Sequence, residues 1–139
     1  VDMEAFREEE RTSEEIRKLQ SAGVHVIASF HNFDRTPDRE ELIRRLTRMQ
    51  EMGADVAKIA VMPQSREDVM TLMEATMEAD HSLDIPVATM SMGRLGVLSR
   101  LAGTLTGSAM TFASVGEASA PGQIPIEQMR VFCQLLSMK

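Results

Sequence analysis

Apolar residues in this chain gather in two kinds of pattern that take turns. Short runs rich in Val, Ile, Phe and Met occupy residues 24–30, 56–62, 87–92 and 110–115, and residues 1–6 read as a fifth. Between them the apolar positions fall three or four apart, as at Leu42, Ile43, Leu46 and Met49, and again at Val69, Leu72, Met73 and Thr76. The first pattern is that of strands and the second that of helices with one buried stripe. Their alternation predicts repeated βαβ units and a parallel sheet.

The helix boundaries are equally legible. Thr36 before Pro37 has the form of an N-cap with proline in the first turn, and Gly53 closes that helix. Ser65 and Asp68 have capping-box spacing and open the next one. Further helices are expected over residues 13–22, stopped by Gly23, over about 96–105, and over 125–136. In the last, Ile126, Met129, Val131, Phe132 and Leu135 are too many apolar positions for a solvated helix, so it is expected to pack, with Cys133 as a small buried residue.

Nothing divides the chain, and 139 residues suit one domain, residues 1–139. Five parallel strands with helices between them make either a doubly wound open sheet or a segment of a (β/α)8 TIM barrel. A closed barrel takes about 250 residues, so this chain is not expected to close one alone. Its exposed sheet edges then need a cover. The first residues read as a strand with no leader, which favours a fragment or a processed chain.

Composition narrows the function classes. A net charge of −6 disfavours nucleic acid and anionic membranes as partners, and no apolar run reaches the roughly 20 residues of a membrane span. One cysteine and three scattered histidines offer neither a disulfide framework nor a metal-ligand pattern, so no metal is expected. A cytoplasmic location is the default.

The polar groups that stand out lie at strand ends. Lys58 is the sole charge in the run Val56-Ala57-Lys58-Ile59-Ala60-Val61-Met62. An amine is costly in such a setting unless it is paired, and desolvation makes it a nucleophile toward carbonyls. His31 closes the preceding run. Arg100 follows the glycine-bounded segment Gly93-Arg94-Leu95-Gly96, while Ser119 and Gln123 sit in the loop after residue 115. Met90 and Met92 share one face of their strand. In parallel α/β sheets that edge is where ligands bind. Each residue also has a plain alternative: Lys58 a strand-end ion pair, His31 a bond to a loop carbonyl, Arg100 a helix surface, Ser119 and Gln123 a turn.

Taken in order, Ser29-Phe30-His31-Asn32-Phe33, Ala57-Lys58-Ile59-Ala60-Val61-Met62-Pro63, Thr89-Met90-Ser91-Met92-Gly93, Ser99-Arg100-Leu101-Ala102-Gly103 and Ser119-Ala120-Pro121-Gly122-Gln123-Ile124 resemble the motifs of the type I 3-dehydroquinate dehydratases, the Schiff-base class of the shikimate pathway. The resemblance runs over essentially the whole chain. It implies the C-terminal part of a (β/α)8 barrel, from about the fourth strand to the eighth. One departure is Phe30, where relatives often carry Asn before the histidine.

The resemblance implies that Lys58 forms an imine with the ketone of 3-dehydroquinate and that His31 is the acid and base. Arg100, Ser119 and Gln123 would bind the carboxylate and hydroxyls, with Met90 and Met92 as the apolar wall. No cofactor is implied. In the family an N-terminal glutamate orients the histidine; neither Glu4 nor Glu8 is assigned that part here. The implied partners are the small carboxylate substrate and either a complementary N-terminal barrel segment or a second copy. Two other readings stay open at this stage: a catalytically incomplete structural chain, or another lysine-dependent barrel enzyme such as an aldolase.

Overall fold

The computed structural model describes residues 1–137, the side chain of Ser137 excepted. Four strands, β1 (Asp2–Glu4), β2 (Ile27–Asn32), β3 (Val56–Val61) and β4 (Val87–Ser91), form one parallel sheet in chain order. Three long helices connect or follow them: α1 (Glu9–Ser21), α2 (Arg39–Glu51) and α3 (Arg66–Ser82). Two short helices, α4 (Val97–Leu101) and α5 (Gly103–Thr106), and a terminal α6 (Ile126–Ser137) complete the described chain. This is an open α/β sheet of the kind that makes up an incomplete (β/α)8 barrel.

The register shows how the two faces divide. Ile27 pairs with Val56 and Ser29 with Lys58, while Lys58 pairs with Ala88 and Ala60 with both His31 and Met90. Alternate residues point to opposite faces. Ala28, Ala57, Ile59, Val61 and Val87 therefore face the helices, where they meet Ile16, Leu42, Leu46, Met49 and Leu72 in one buried core. The opposite face holds a much smaller apolar cluster, Ala60, Met90 and Met92, with Met62 and Phe112 against it.

Local chemistry moved several boundaries from their sequence-based positions. Strand β2 begins at Ile27 rather than residue 24 because the Val24 N–H closes α1 on Leu19 and the Val26 N–H is taken by the Asp55 carboxylate at 2.7 Å. The ladder thus extends to Asn32, and His31 lies inside the strand. Helix α2 is capped by Asp38, whose carboxylate accepts the Glu41 N–H at 2.8 Å. Thr36, expected as that cap, instead donates to the Met62 carbonyl at 3.0 Å and ties the loop to the end of β3. At α3 the expected cap holds: Ser65 Oγ accepts the Asp68 N–H at 3.2 Å.

The last third departs further. The expected fifth strand at 110–115 is not formed. Ser108 Oγ takes the Thr89 N–H at 3.0 Å, so a side chain stands where a ladder carbonyl would, and Ser114 pairs with Pro125 in an isolated bridge. The helix expected at 96–105 is two short pieces, because Ala102 ends α4 while its carbonyl starts α5 by accepting from Leu105 and Thr106. Helix α6 forms, but its expected packing does not: Met129 is buried, whereas Val131, Phe132, Leu135 and Leu136 are exposed. Cys133 is exposed as well, against the expectation of burial, since it shares that uncovered stretch.

Candidate active site

The site is built on the sheet face away from α1–α3. Lys58 projects there from the middle of β3 and is only 8% exposed. Ala60 and Ala88, next to it along and across the sheet, are small and buried. Its Nζ lies 2.5 Å from Asp2 Oδ2 and 4.9 Å from the centre of the Phe112 ring. Ion pair and ring face together hold a buried charge that would be costly alone.

Asp2 feels opposing influences. Burial raises its pKa, but the hydrogen bonds from Lys58 and Ser29 and the nearby positive charge of Lys58 outweigh that, so the carboxyl stays below its ordinary value. Asp2 therefore faces the Lys58 amine as a carboxylate.

His31 lies on the neighbouring strand, on the same face, two positions nearer the C-terminal edge than the residue opposite Lys58. Its Nδ1 is 2.9 Å from Glu4 Oε2. A carboxylate can only accept, so this contact places a proton on Nδ1, and in the neutral ring Nε2 then carries the lone pair. Phe33 stacks on the ring, 6.0 Å between centres and 9° between planes. The imidazole is thus fixed in tautomer and in plane.

Asp2 and Glu4 are the residues that the sequence reading missed. They alternate around Met3 on β1, so both side chains fall on the face that carries Lys58 and His31. The signal was present as an Asp-x-Glu alternation in the first run. Glu4 contacts His31, whereas Glu8 lies at the start of α1 and pairs with Arg11.

Arg100 comes from α4 and is 3% exposed. Its Nη2 donates to the Pro121 carbonyl at 3.1 Å, while Nε and Nη1 have no partner. Burial pushes its pKa down, though an arginine keeps its charge. A buried guanidinium with two idle donors is an open socket for a carboxylate.

The Pro121 carbonyl also accepts the Gly93 N–H at 3.1 Å, which joins the Ser119–Gln123 loop to the end of β4 just beyond Met92. Gly122 is required there: its φ is +77°, and a Cβ would stand 2.3 Å from the Gly93 carbonyl oxygen. Ser119 and Gln123 are engaged with each other, the Ser119 N–H and hydroxyl both donating to Gln123 Oε1 at 2.8 and 3.1 Å. Met90 and Met92 are buried beside Ala60 on the Lys58 face. A cleft of about 390 Å³ between α1 and α2 lies on the other side of the sheet.

The structure thus groups Lys58, His31, Met90 and Met92 on one face and links Arg100 to the Ser119–Gln123 loop through Pro121. A parallel α/β sheet with an amine and an imidazole, each beside a carboxylate, and an under-bonded guanidinium at its C-terminal side is an arrangement in which a lysine amine could react with a carbonyl group.

Comparison with known proteins agrees. A family model described as type I 3-dehydroquinase matches residues 1–139, and the chain belongs to that family. The 3-dehydroquinate dehydratase of Listeria welshimeri is 49% identical over 136 residues, covering 98% of this chain and 54% of the relative. That of Klebsiella pneumoniae is 49% identical over 138 residues, covering 99% and 55%. The crystal structure of the Geobacillus kaustophilus 3-dehydroquinate dehydratase matches with a TM-score of 0.94 at 46% identity, over 98% of this chain and 52% of that one. The type I enzyme of Clostridium difficile, solved with covalently modified comenic acid, gives 0.93 at 46%, over 98% and 54%. The chain spans about half the length of the curated relatives it matches.

Proposed function

We propose that this chain supplies the reacting half of a lyase that dehydrates 3-dehydroquinate to 3-dehydroshikimate through an imine on Lys58. The observation that carries the reading is the joint placement of a buried amine and an oriented imidazole on one sheet face. The amine condenses with the ring ketone at C3. The resulting iminium withdraws electrons and acidifies the adjacent C2 proton, so no metal or organic cofactor has to serve as the electron sink. His31, with Nε2 free and Nδ1 held by Glu4, removes that proton and then delivers it to the departing C1 hydroxyl.

Arg100 clamps the substrate carboxylate with its idle donors, and Ser119 and Gln123 open their mutual bonds to hold carboxylate or hydroxyl oxygens. Met90 and Met92 form the apolar wall. The open edge of β1 and the irregular segment at 110–115 are covered in the working enzyme by a complementary N-terminal barrel segment or a second copy. Its setting is cytoplasmic; among the described residues no helix is long and apolar enough to cross a membrane.

The test is reduction with borohydride in the presence of 3-dehydroquinate, followed by peptide mapping. Ligand mass on Lys58 is expected. Mass on the exposed Lys18 of α1 instead would overturn the assignment. Dehydroshikimate formation that vanishes in His31→Ala separates an enzyme from a mere imine binder, and retro-aldol products would support the aldolase reading.

A further inference from the structure

Every group in the proposed mechanism has a task except one: the carboxylate of Asp2, which touches the reacting nitrogen itself. We propose that Asp2 relays the protons of imine formation at Lys58, taking one from the ammonium before attack and returning it when water leaves. This deepens the dehydratase reading and rests on it.

The geometry is specific. Asp2 Oδ2 is 2.5 Å from Lys58 Nζ, closer than Glu4 Oε2 is to His31 Nδ1. Asp2 lies one pleat below Glu4, whose register partner Ser29 is also that of Lys58. The amine is therefore approached along the sheet face by the carboxylate, with the Phe112 ring centre 4.9 Å from Nζ. His31 is committed through Nδ1 to Glu4, so within the described site the two carboxylates serve different bases.

Proton accounting requires such a group. In its ion pair with Asp2, Lys58 is an ammonium and has no lone pair. Transfer of one proton to Asp2 gives amine and carboxylic acid. The nitrogen lone pair then forms a bond to C3, and the carbonyl π pair moves to oxygen. A second N–H proton passes to that oxygen to give a neutral carbinolamine. The nitrogen lone pair then expels the hydroxyl, which leaves as water with the proton that Asp2 had held. The products are a protonated iminium, water and the Asp2 carboxylate, so charge and hydrogen balance and no outside acid is consumed. The regenerated carboxylate faces the cationic nitrogen and stabilises it.

The experiment compares Asp2→Asn and Asp2→Glu with the parent in the intact protein that carries this sequence. Three quantities are read: the rate of borohydride trapping on Lys58, kcat against KM, and the affinity for a carboxylated ring polyol that lacks the ketone. Asp2→Asn keeps a hydrogen-bonding side chain of the same shape but cannot carry the proton. Its trapping rate and kcat are expected to fall about a hundredfold or more, within the usual range for loss of a positioned acid–base group. KM and analogue affinity should stay within about threefold, and Asp2→Glu should recover at least about a tenth of the parent rate.

Trapping of Asp2→Asn at the parent rate would overturn the relay. So would a loss that lies in KM and analogue binding, which is the mark of a structural ion pair. Should Asp2→Asn not fold, Asp2→Ser decides: a folded variant with slowed trapping and unchanged analogue affinity supports the relay, and parent-rate trapping refutes it. A parent protein that gives no Lys58 adduct sinks the dehydratase reading itself, a result distinct from these.

Discussion

The two faces of the same four-stranded sheet follow opposite rules. Toward α1–α3 the strands present Ala28, Ala57, Ile59, Val61 and Val87, close-packed against Leu42, Leu46, Met49 and Leu72. There the polar exceptions are neutral, as where the Thr76 and Thr89 hydroxyls meet at 2.6 Å inside the core. On the other face ionisable groups sit at alternating and cross-strand positions, Asp2 beside Lys58 and Glu4 beside His31. One face is packed for stability and the other carries the proposed chemistry. Charges are tolerated on the second because each carries a partner of opposite kind.

The largest effect should come from breaking the reactive face at its centre. Lys58→Met removes the nucleophile, so dehydroshikimate formation and borohydride trapping should both fall to background while the far-ultraviolet circular dichroism is retained. Next is His31→Ala, expected to lower the dehydration rate by about 10²–10⁴-fold while leaving Lys58 able to form its imine. Single-turnover mass spectrometry distinguishes the two steps.

On the packed face the response is in stability alone. Leu46→Ala should cost about 2–5 kcal/mol, read as a lower urea midpoint, because a fully buried leucine leaves a cavity. A smaller effect follows from acid. Asp2 is held below its ordinary carboxyl value, with burial opposing and Lys58 and Ser29 prevailing; Asp55 is held low by the Val26 N–H and Gln20. A depressed folded-state pKa adds stability that is fully present above the unfolded value near 3.9 and is lost as pH falls through the folded one. Urea midpoints should therefore decline from about pH 4 downward.

The smallest effect is expected where neither face is involved. Val131 and Leu135 on α6 are exposed, so Leu135→Ser in this chain should change its urea midpoint by no more than about 0.5 kcal/mol equivalent. A much larger loss would mean that this surface is covered in solution.

The same contrast explains what could be read from the sequence. Lys58, His31 and Arg100 were legible because each breaks a local pattern: a charge inside an apolar run, a histidine at a strand end, an arginine after a glycine-bounded turn. Asp2 and Glu4 broke nothing. In a three-residue strand two acids resemble a solvated surface, and their meaning comes from the neighbouring strand. The 110–115 run carried a strand's composition, yet pairing is a tertiary property, and Ser108 and Ser114 spend their hydrogen bonds elsewhere. Helix α6 shows the reverse case. Its helix was expected and forms, but an apolar-rich sequence does not supply the surface that would cover it.

The central claim is a division of labour, in which Lys58 captures the ketone and His31 moves the proton. It is tested most directly by incubating His31→Ala with 3-dehydroquinate and borohydride and weighing the peptide that contains Lys58. The expected adduct is on Lys58 and has the mass of reduced, still hydrated substrate, because imine formation proceeds and water loss does not. An adduct already lighter by one water, formed as fast as in the parent, would contradict the role given to His31. An unmodified Lys58 would contradict the independence of the two steps.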